Sequence, residues 1–513
     1  MTPLDSLQNT VETSREFEIK LLFPEEKFKP LEQWIISKGG VRRQHLQAAY
    51  IDTPEFLLAK SGVALRLRKE GRQWVQTLKI ATANPLDRIE HNVPLVSSGA
   101  QMPSWSIDHH QYHQAGELLK KLLPHLSTEN LRICYQTDVW RRKVHINTRN
   151  GILEYALDEG IIFANSPENR LQERVCELEI ELIQGSPADV MRHVQAMVKR
   201  FKAYVDTRNK AERGYLLAKG LSVSPASRAE LVSLKNCTTK AKVIHRLLDA
   251  CLMQILPNQS VLNLNGHNQD EHLHQLRVGL RRLKTLLKYL ASNDLFLSPE
   301  NQIALREAFQ QLGEHRDDSY ISGTLNPLMR SLSGPSIDLQ AGESLPHPNL
   351  VTKSVRFQLL LLDIMLLRYS PSLEGEEIKL SKNTADNIRK PFVKTLKRAY
   401  QFCFTQSAQI NFLEDEKIHE LRKRLKFLRY SLEFFKDWFD KNKFKPFFKL
   451  LTKTLEELGQ FNDICVAIHR IEPMTESNPQ FFFALGWLKA ERVRSREICI
   501  KNIKELMAVK TAW

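Results

Sequence analysis

REFEIKLLF, residues 15–23, decides how the first half of this chain is read. Taken with a period of two, it puts Phe17 and Ile19 on one face and Glu16, Glu18 and Lys20 on the other. A half-buried strand alternates in this way, because successive side chains leave opposite faces of the sheet. Two readings follow. Either the charges lie on an ordinary wet face, or they point inward at something that is itself charged.

The pattern recurs. VALRLRKEG (63–71), QWVQTLKIA (73–81), RIEHNVPLV (88–96), KVHINT (143–148), ILEYALDEG (152–160), IIFAN (161–165) and RVCELEIELIQG (174–185) all read as strands. Short helical stretches intervene, so the first 215 or so residues predict an antiparallel β domain with minor helices. Arg66 and Arg68 alternate on one strand, and Glu177, Glu179 and Glu181 on another. Lys79, Glu90, Arg141, Asp158 and Lys210 have comparable settings. Such strands could close into a barrel of about eight with a polar lumen. Facing carboxylates repel unless a divalent cation sits between them. Arginines beside them welcome metal-bound phosphate.

The chain has 513 residues, which favours two or three domains, and its 42% apolar content is ample for packed cores. No apolar run approaches the roughly eighteen residues of a membrane span, and the N-terminal stretch has no secretory pattern. Seven cysteines stand far apart with no CxxC, which predicts free thiols in a reducing compartment, the cytoplasm. The net charge is +15, of which residues 1–220 carry +4 and the remainder +11. A basic C-terminal half implies an anionic partner. AKGLSVSPASRAEL (218–231) reads as a linker, and from about 235 onward the pattern is amphipathic helix, with a Ser-, Gly- and Pro-rich loop expected over 322–348.

That helical half repeats itself. HQLRVGLRRLK (274–284) and HELRKRLKFLR (419–429) share a histidine followed by cations three, seven and ten residues on. Those offsets fall within roughly 80° of helix arc. His274, Arg277, Arg281 and Lys284, joined by Arg282, form one candidate stripe; His419, Arg422, Lys426 and Arg429, joined by Lys423, form the other. LGEHRD (312–317) and LGQFND (458–463) follow at matched distances. This predicts a duplicated, pseudo-two-fold pair of helical bundles. A solvated face is the usual reading of a cationic stripe, but like charges at i, i+3 and i+4 destabilise a helix. Repeating that cost twice in one register points to a polyanion site. Asp317 and Asp463 are expected to pair with basic residues, and Arg316 is replaced by Asn462 in the second repeat.

The strands resemble those of the CYTH domain, the triphosphate tunnel metalloenzymes. EFEIK resembles the ExExK signature, and YIDTPEFLLAKSGVALRLRKEG the YxDTxxxxLxxxGxxLRxR block, through Tyr50, Asp52, Thr53, Leu58, Gly62, Arg66 and Arg68. QTLK, DRIEHNVPL, TDVWRR, YALDEG, CELEIEL and NKAERGY resemble the later elements, with Lys79, Arg88, Glu90, Arg141, Asp158, Glu177, Glu179, Lys210 and Arg213. Asn209 stands where the family usually has Ser. The helical repeat resembles the CHAD domain, associated with polyphosphate binding. The resemblance implies an α+β chain of two domains. Residues 12–217 would form an eight-stranded tunnel barrel, 218–235 a linker, and 236–510 the helical polyphosphate-binding domain.

The implied activity is hydrolysis of inorganic triphosphate with Mg²⁺ or Mn²⁺, by in-line attack of water on the phosphate chain. Glu16, Glu18, Asp158, Glu177 and Glu179 would hold the metal. Arg66, Arg68, Lys79, Glu90, Arg141, Lys210 and Arg213 would line the substrate, with Lys20, Glu16 and Glu18 nearest the chemistry. Thiamine triphosphatase, adenylyl cyclase and a non-catalytic polyphosphate binder are the alternatives. A nucleic-acid binder is disfavoured because no reading strand or zinc finger is evident. His109 and His113, at i, i+4 in DHHQYH, could hold a metal, but an exposed connector over 97–130 is the preferred reading.

Overall fold

The structure is a computed structural model, and it describes residues 15–71, 73–81, 87–96, 102–165, 170–235, 237, 239–264, 269–291, 295–337, 347–370, 382–476 and 478–511. Side chains 15, 16, 87, 88, 165, 170, 314–319, 322, 382–388 and 412 lie outside that description. The chain divides into two compact units. The first comprises residues 1–228, 252–275 and 352–369; the second comprises 229–251, 276–351 and 370–513.

The first unit is built on one antiparallel sheet. Its strands are β1 (Arg15–Leu22), β2 (Arg42–Asp52), β3 (Val63–Glu70), β4 (Gln73–Ala81), β5 (Asp87–Leu95), β6 (Arg132–Asn147), β7 (Ile152–Asn165), β8 (Arg170–Gln184) and β9 (Tyr204–Val205). Their order is β5-β4-β3-β2-β6-β7-β8-β1-β9. The expected eight-stranded barrel is therefore corrected to a nine-stranded sheet that is not closed along its length. The reason lies in β1, which divides its pairing among three neighbours. Residues 15–17 pair with β5, residues 18–21 with β8, and Leu21 and Leu22 with β9.

The alternation in β1 has a definite sense. Phe17, Ile19 and Leu21 are 5%, 1% and 0% exposed, so the apolar face is covered. The ring of Phe17 meets Tyr369 edge-on at 5.7 Å. The helix Pro187–Phe201 adds buried Val190, Met191, Val194 and Val198, and starts at a capping box of Ser186 and Asp189. Glu18, on the opposite face, lines the cavity inside the curled sheet. Both faces of the strand are thus used, and the charged one points inward.

Strand β9 has only two residues, and its backbone is completed by side-chain amides. Gln358 accepts from the Val205 N–H at 2.9 Å, and Gln259 donates to the Val205 carbonyl at 2.8 Å. An unpaired strand edge is a liability, and these two glutamines satisfy it.

The connector between β5 and β6 is a packed element, which corrects the exposed His-rich segment expected there. The helix Gln114–Leu122 buries Leu118 and Leu119 against Leu65, Leu67, Leu78 and Ile80. His110 is fully buried and shares a 2.9 Å hydrogen bond with His91. His113 is the helix N-cap and its Nδ1 accepts from the Ala115 N–H. His109 is exposed.

The helix Lys210–Ala218 packs on β6, β7 and β8 and lines one part of the cavity. Asn209 is its N-cap, accepting from the Glu212 N–H at 2.8 Å. Asn and Ser cap about equally well, so the departure from Ser costs the helix nothing. Gly214 is required, because a Cβ there would lie 2.1 Å from the Tyr135 ring.

In its described residues, the second unit is helical apart from short connections. Its helices include Pro299–Tyr320, Lys382–Ser407, Asp415–Phe435, Lys441–Ile471 and Phe481–Ala508. Tyr289 is stacked on Phe392 and Phe427, and its hydroxyl donates to Ser431 at 2.7 Å. The loop expected over 322–348 is corrected for its first part. Ile321–Leu325 is a π-helical turn and Asn326–Ser331 an α-helix. Ile321, Leu325 and Met329 recur every four residues and are all buried, which outweighs the local Gly and Ser. Residues 338–346 lie outside the described ones.

Gly214→Ala is expected to destabilise the first unit by about 1–3 kcal/mol through overpacking against Tyr135. Asn209→Ser should leave stability within about 0.5 kcal/mol of wild type, because both residues cap. Thermal melts followed by circular dichroism check both.

Candidate functional site

The inward face of the sheet surrounds a cavity of about 670 Å³. Cross-strand register fills it. Arg141 lies opposite Asp158 across β6–β7, Asp158 opposite Glu177 across β7–β8, and Glu18 opposite Glu181 across β1–β8. Residues far apart in the chain therefore meet at one level of the sheet.

At the centre, one oxygen from each of Asp158, Glu177 and Glu179 lies within 4.8 Å of the others. Lys210 Nζ sits among them, 2.7 Å from Asp158 Oδ2, 2.5 Å from Glu177 Oε1 and 2.8 Å from Glu179 Oε1. Arg141 donates bidentately to Asp158 at 2.7 Å through Nε and 2.7 Å through Nη2, and also bonds Glu179. Arg213 donates to Glu177 at 2.8 Å, to Glu173 at 2.8 Å and to the Arg174 carbonyl at 2.6 Å. Burial alone would push the Glu179 carboxyl up, but Lys210 and Arg141 more than reverse it and hold it well below the carboxylate range. Burial likewise opposes the charge on Lys210, yet Asp158, Glu177 and Glu179 raise its pKa well above the lysine range. The group is a charge-compensated network.

A second carboxylate row is only partly compensated. Glu181 faces Glu18 on one side and Glu154 on the other in the strand register. Burial, then the charges of Glu18 and Glu154, push the Glu181 carboxyl up to about 7. Glu154 is bonded by Lys143 at 2.5 Å and His145 at 2.9 Å. Glu154 was absent from the residues singled out from sequence. The signal was present: Glu154, Ala156 and Asp158 share one face of ILEYALDEG.

The cationic wall comes from β3 and β4. Arg66 donates to Thr77 Oγ1 at 3.3 Å, and Thr77 donates to Asn92 at 2.7 Å. Arg68 pairs with Glu70, and burial followed by the charge of Arg66 pulls it down to about 10, so it stays cationic at neutral pH. Lys79 pairs with Glu90 across β4–β5. Asp52 accepts from the N–H groups of Thr53, Leu58 and Ala59 at 2.7, 2.9 and 2.9 Å, which makes it a turn-forming residue.

Lys20 is placed differently from the expectation. It is 6% exposed, and its Nζ donates to the Arg208 carbonyl. Burial lowers its pKa. Asp206 N–H donates in turn to the Lys20 carbonyl at 3.0 Å. The lysine thus anchors the segment leading to Lys210, and Glu177 and Glu179 oppose the effect of burial on it. The side chain of Glu16 lies outside the described residues.

In the helical unit, Arg277 and Arg422 are 9% and 8% exposed, and Arg281, Lys284, Lys426 and Arg429 are half-buried. Burial, then Arg281, Lys288, Arg306 and Lys423, lowers the Lys284 pKa, so the two stripes feel each other's charge. Arg282 is corrected: it is 1% exposed, donates to the carbonyls of Ala250 and Glu230 at 3.4 Å each, and lies over the Phe434 ring. It belongs to the core. The repeated glycines differ in how closely the arginine approaches them. A Cβ on Gly313 would lie 2.8 Å from Arg277 Nη1, and one on Gly459 3.8 Å from Arg422 Nη2. Asn462 Oδ1 is 2.5 Å from His419 Nδ1, which fixes the proton on that nitrogen. The side chains of Arg316 and Asp317 lie outside the described residues. Among the described residues no helix is long and apolar enough to cross a membrane.

Residues 14–215 match the CYTH domain and residues 246–472 the CHAD domain. The chain carries a CYTH domain followed by a CHAD domain. It is 27% identical over 210 residues to an inorganic triphosphatase of Haemophilus influenzae, covering 40% of this chain and 55% of that protein. The chain thus spans about half the length of that curated relative. The crystal structure of the CHAD domain from Ricinus communis is 24% identical, covers 56% of this chain and 97% of its own, and gives a TM-score of 0.41. A Hippeastrum protein named as an adenylyl cyclase with a dominant triphosphatase activity is 15% identical, covers 40% of this chain and 97% of its own, and gives a TM-score of 0.30. At these TM-scores the structural likenesses carry no functional weight.

Lys210→Met removes the cation shared by three buried carboxylates. It is expected to destabilise the protein by about 3–5 kcal/mol, since a buried charge left without its partner is costly. In wild type, a carboxyl held below its ordinary value stabilises the fold above about pH 4.3 and loses that contribution as pH falls through its folded pKa. Melting temperature against pH should therefore fall at the acid end in wild type, and the fall should be shallower in Lys210→Met.

Proposed function

We propose that this protein is a metal-dependent inorganic triphosphatase whose helical domain binds inorganic polyphosphate. The observation that carries the reading is the mixed sign of the cavity wall. One side offers Arg66, Arg68 and Lys79; the other offers the carboxylate row of Glu18, Glu154 and Glu181. A wall that is purely cationic would hold phosphate alone. Carboxylates crowded together with only part of their charge compensated, by Lys143 at Glu154 and by Lys79 near Glu181, fit a cation that arrives with the substrate.

The donor set suits a hard cation, because every candidate ligand is a carboxylate oxygen. Glu18 of that row would hold it together with the expected ligands Glu16, Asp158, Glu177 and Glu179, the last three of which already share Lys210 and would give up part of that contact to the cation. When bound, the cation neutralises phosphate oxygens and makes water a better nucleophile at neutral pH. The chain's own residues do the rest. Arg66, Arg68, Arg141 and Lys79 bind and align the phosphate chain, and guanidinium groups do so through paired donors. Lys210 and Arg213 keep Glu177 and Glu179 ionised. Lys20 holds the backbone that carries Lys210.

The substrate class is tested by phosphate release from triphosphate, ATP, thiamine triphosphate and long polyphosphate, with and without Mg²⁺. Turnover is expected to be fastest with triphosphate and to need the metal. Preference for ATP or thiamine triphosphate would replace the inorganic assignment. Glu18→Gln should abolish hydrolysis with the fold retained, and near-normal turnover would sink the tunnel mechanism. Arg66→Ala and Arg68→Ala should each lower kcat/KM by about tenfold or more, the worth of one charge-assisted phosphate contact.

For the helical domain, polyphosphate affinity should fall steeply with salt, because each contact releases counterions. Burial, together with Lys423, Arg422 and Lys426, lowers the His419 pKa although Asn462 opposes this. A histidine with a lowered pKa is cationic only below its folded value. Its contribution to polyphosphate affinity should therefore appear only as pH falls below about 6.5. Calorimetric titration across pH with wild type and His419→Ala reads this. Duplex DNA of matched charge binding as tightly as polyphosphate would make the surface a general anion binder.

A further inference from the structure

The stretch that follows the helix Lys210–Ala218 has the composition of a linker, yet it is tied down at several points. Gly220 takes a φ of 65°, the left-handed conformation that glycine adopts without strain. Its N–H donates to the Leu217 carbonyl at 3.0 Å, and the Leu221 N–H donates to the Leu216 carbonyl at 2.9 Å. This paired pattern ends a helix by reversing the chain, and it brings Leu221 toward Leu216. Ser224 then hydrogen-bonds the Glu212 carboxyl, so the reversed segment runs back beside its own helix. Farther on, fully buried Asn258 clamps the Ser227 backbone. Its Oδ1 accepts from the N–H at 3.2 Å and its Nδ2 donates to the carbonyl at 2.8 Å. His272 Nδ1 donates to the same Oδ1 at 3.0 Å, and the His272 ring also bonds the Ser224 backbone. All of these residues belong to the first unit. Fixing a backbone costs about 1–2 kcal/mol per residue, and a segment that only joined two domains would gain nothing from it.

The reason lies in what the segment faces. Leu221, Ser224 and Pro225 line the cavity together with Tyr215 and Leu216 of the helix. The helix itself lies on the inner face of the sheet, where Ala211 and Tyr215 pack against the cluster of Ala48, Tyr50, Tyr135 and Val139. Helix and reversed segment therefore fill that end of the curl. Beyond Lys210, the side chains they turn to the cavity are apolar or hydroxylic, except for the carboxylate of Glu212. Leu221 is 48% exposed and Pro225 is exposed, so both stand at the rim where the cavity meets water.

We propose that the segment Leu221–Pro225 is a specificity-determining rim of the cavity, which limits the length of phosphate chain the site accepts. The proposal rests on the triphosphatase reading of that cavity. A phosphate bound to Arg66, which stands opposite Tyr50 across β2–β3, has the closed end beside it. One more phosphate in that direction leaves the cations and meets leucine, proline and the Glu212 carboxylate. Dehydrating an anion against an apolar wall costs several kcal/mol unless donors replace the lost water, and a like charge adds repulsion. Triphosphate avoids that contact; longer chains do not. Discrimination then comes from a contact that penalises the wrong ligand. The hydrogen bonds of Ser224 and Ser227 keep the rim in place, so it cannot move aside for a longer chain at no cost.

The test is phosphate release by the full-length protein with Mg²⁺ from triphosphate, tetraphosphate and a long polyphosphate. The forms compared are wild type, Leu221→Ala, Leu221→Lys and Leu221→Met. The readout is the ratio of kcat/KM for each longer chain to that for triphosphate, which cancels anything the variants share, including binding to the helical domain. In wild type the ratio should fall with chain length. Leu221→Ala opens the rim and should raise the tetraphosphate ratio about threefold or more. Leu221→Lys places a cation where the next phosphate would lie and should raise it about tenfold or more, the worth of one charge-assisted contact. Leu221→Met keeps the apolar bulk and should stay within about twofold of wild type. Should Leu221→Lys not fold, as melting temperatures would show, Leu221→Ala against Leu221→Met carries the comparison. Wild type that cleaves the longer chains as well as triphosphate overturns the proposal. So does a ratio that neither Ala nor Lys moves, or one that Met raises as much as Ala. If wild type releases no phosphate from triphosphate at all, the triphosphatase reading fails, and the rim fails with it.

Discussion

The first unit depends on how buried charge is compensated. Asp158, Glu177 and Glu179 approach one another inside the sheet, where each ionised carboxylate without a partner would cost several kcal/mol. Lys210 answers all three, and Arg141 and Arg213 complete the network. Much of the surrounding architecture serves to bring Lys210 there. Asn209 caps its helix, Gly214 lets that helix close on Tyr135, and Lys20 ties down the preceding segment. The apolar outer face of β1, sealed by Phe17, Ile19 and Leu21, is what allows the inner face to be charged.

The contrast between the two carboxylate groups gives the cavity its chemical character. One group is neutralised from within the chain and is held in its charged form. The other, around Glu181, is crowded by its own kind and carries a raised pKa. A protein that only needed a stable sheet could have compensated both. In the helical unit Arg277, Arg281 and Lys284 lie within 5.3 Å of the centroid of the Phe309 ring.

Much of this was legible from the residues. The period-2 runs named the strands, and the matched HxxR stripes and LG pairs named the repeat, because both periodicities follow from local backbone geometry. Arg66, Arg68, Lys79, Glu90, Arg141, Lys210, Glu18, Asp158, Glu177 and Glu179 all lie on the cavity or in its charge network. Arg213 joins that network from behind through Glu177. Arg282 was misread because a one-residue step around a helix turns a stripe position into a core one, and composition cannot register 100°. The connector over 97–130 was misread because its histidines look polar in sequence, whereas His110 is buried by a partner, His91, that lies on another strand.

The sequence by itself determined the two-part organisation, the alternating strands, the cationic stripes and most of the charged residues of the cavity. Each of these is written in spacing along the chain. Tertiary structure alone decided which charges neutralise which. Lys20 and Lys210 look equivalent in sequence, yet one is spent on a backbone carbonyl and the other on three carboxylates. It also decided the count of strands, since β9 is too short to read, pairs with β1 and has the Val205 backbone bonded by Gln259 and Gln358 from distant helices. Electrostatic energy depends on distance through space, and that distance is set by register and packing, which no local pattern records.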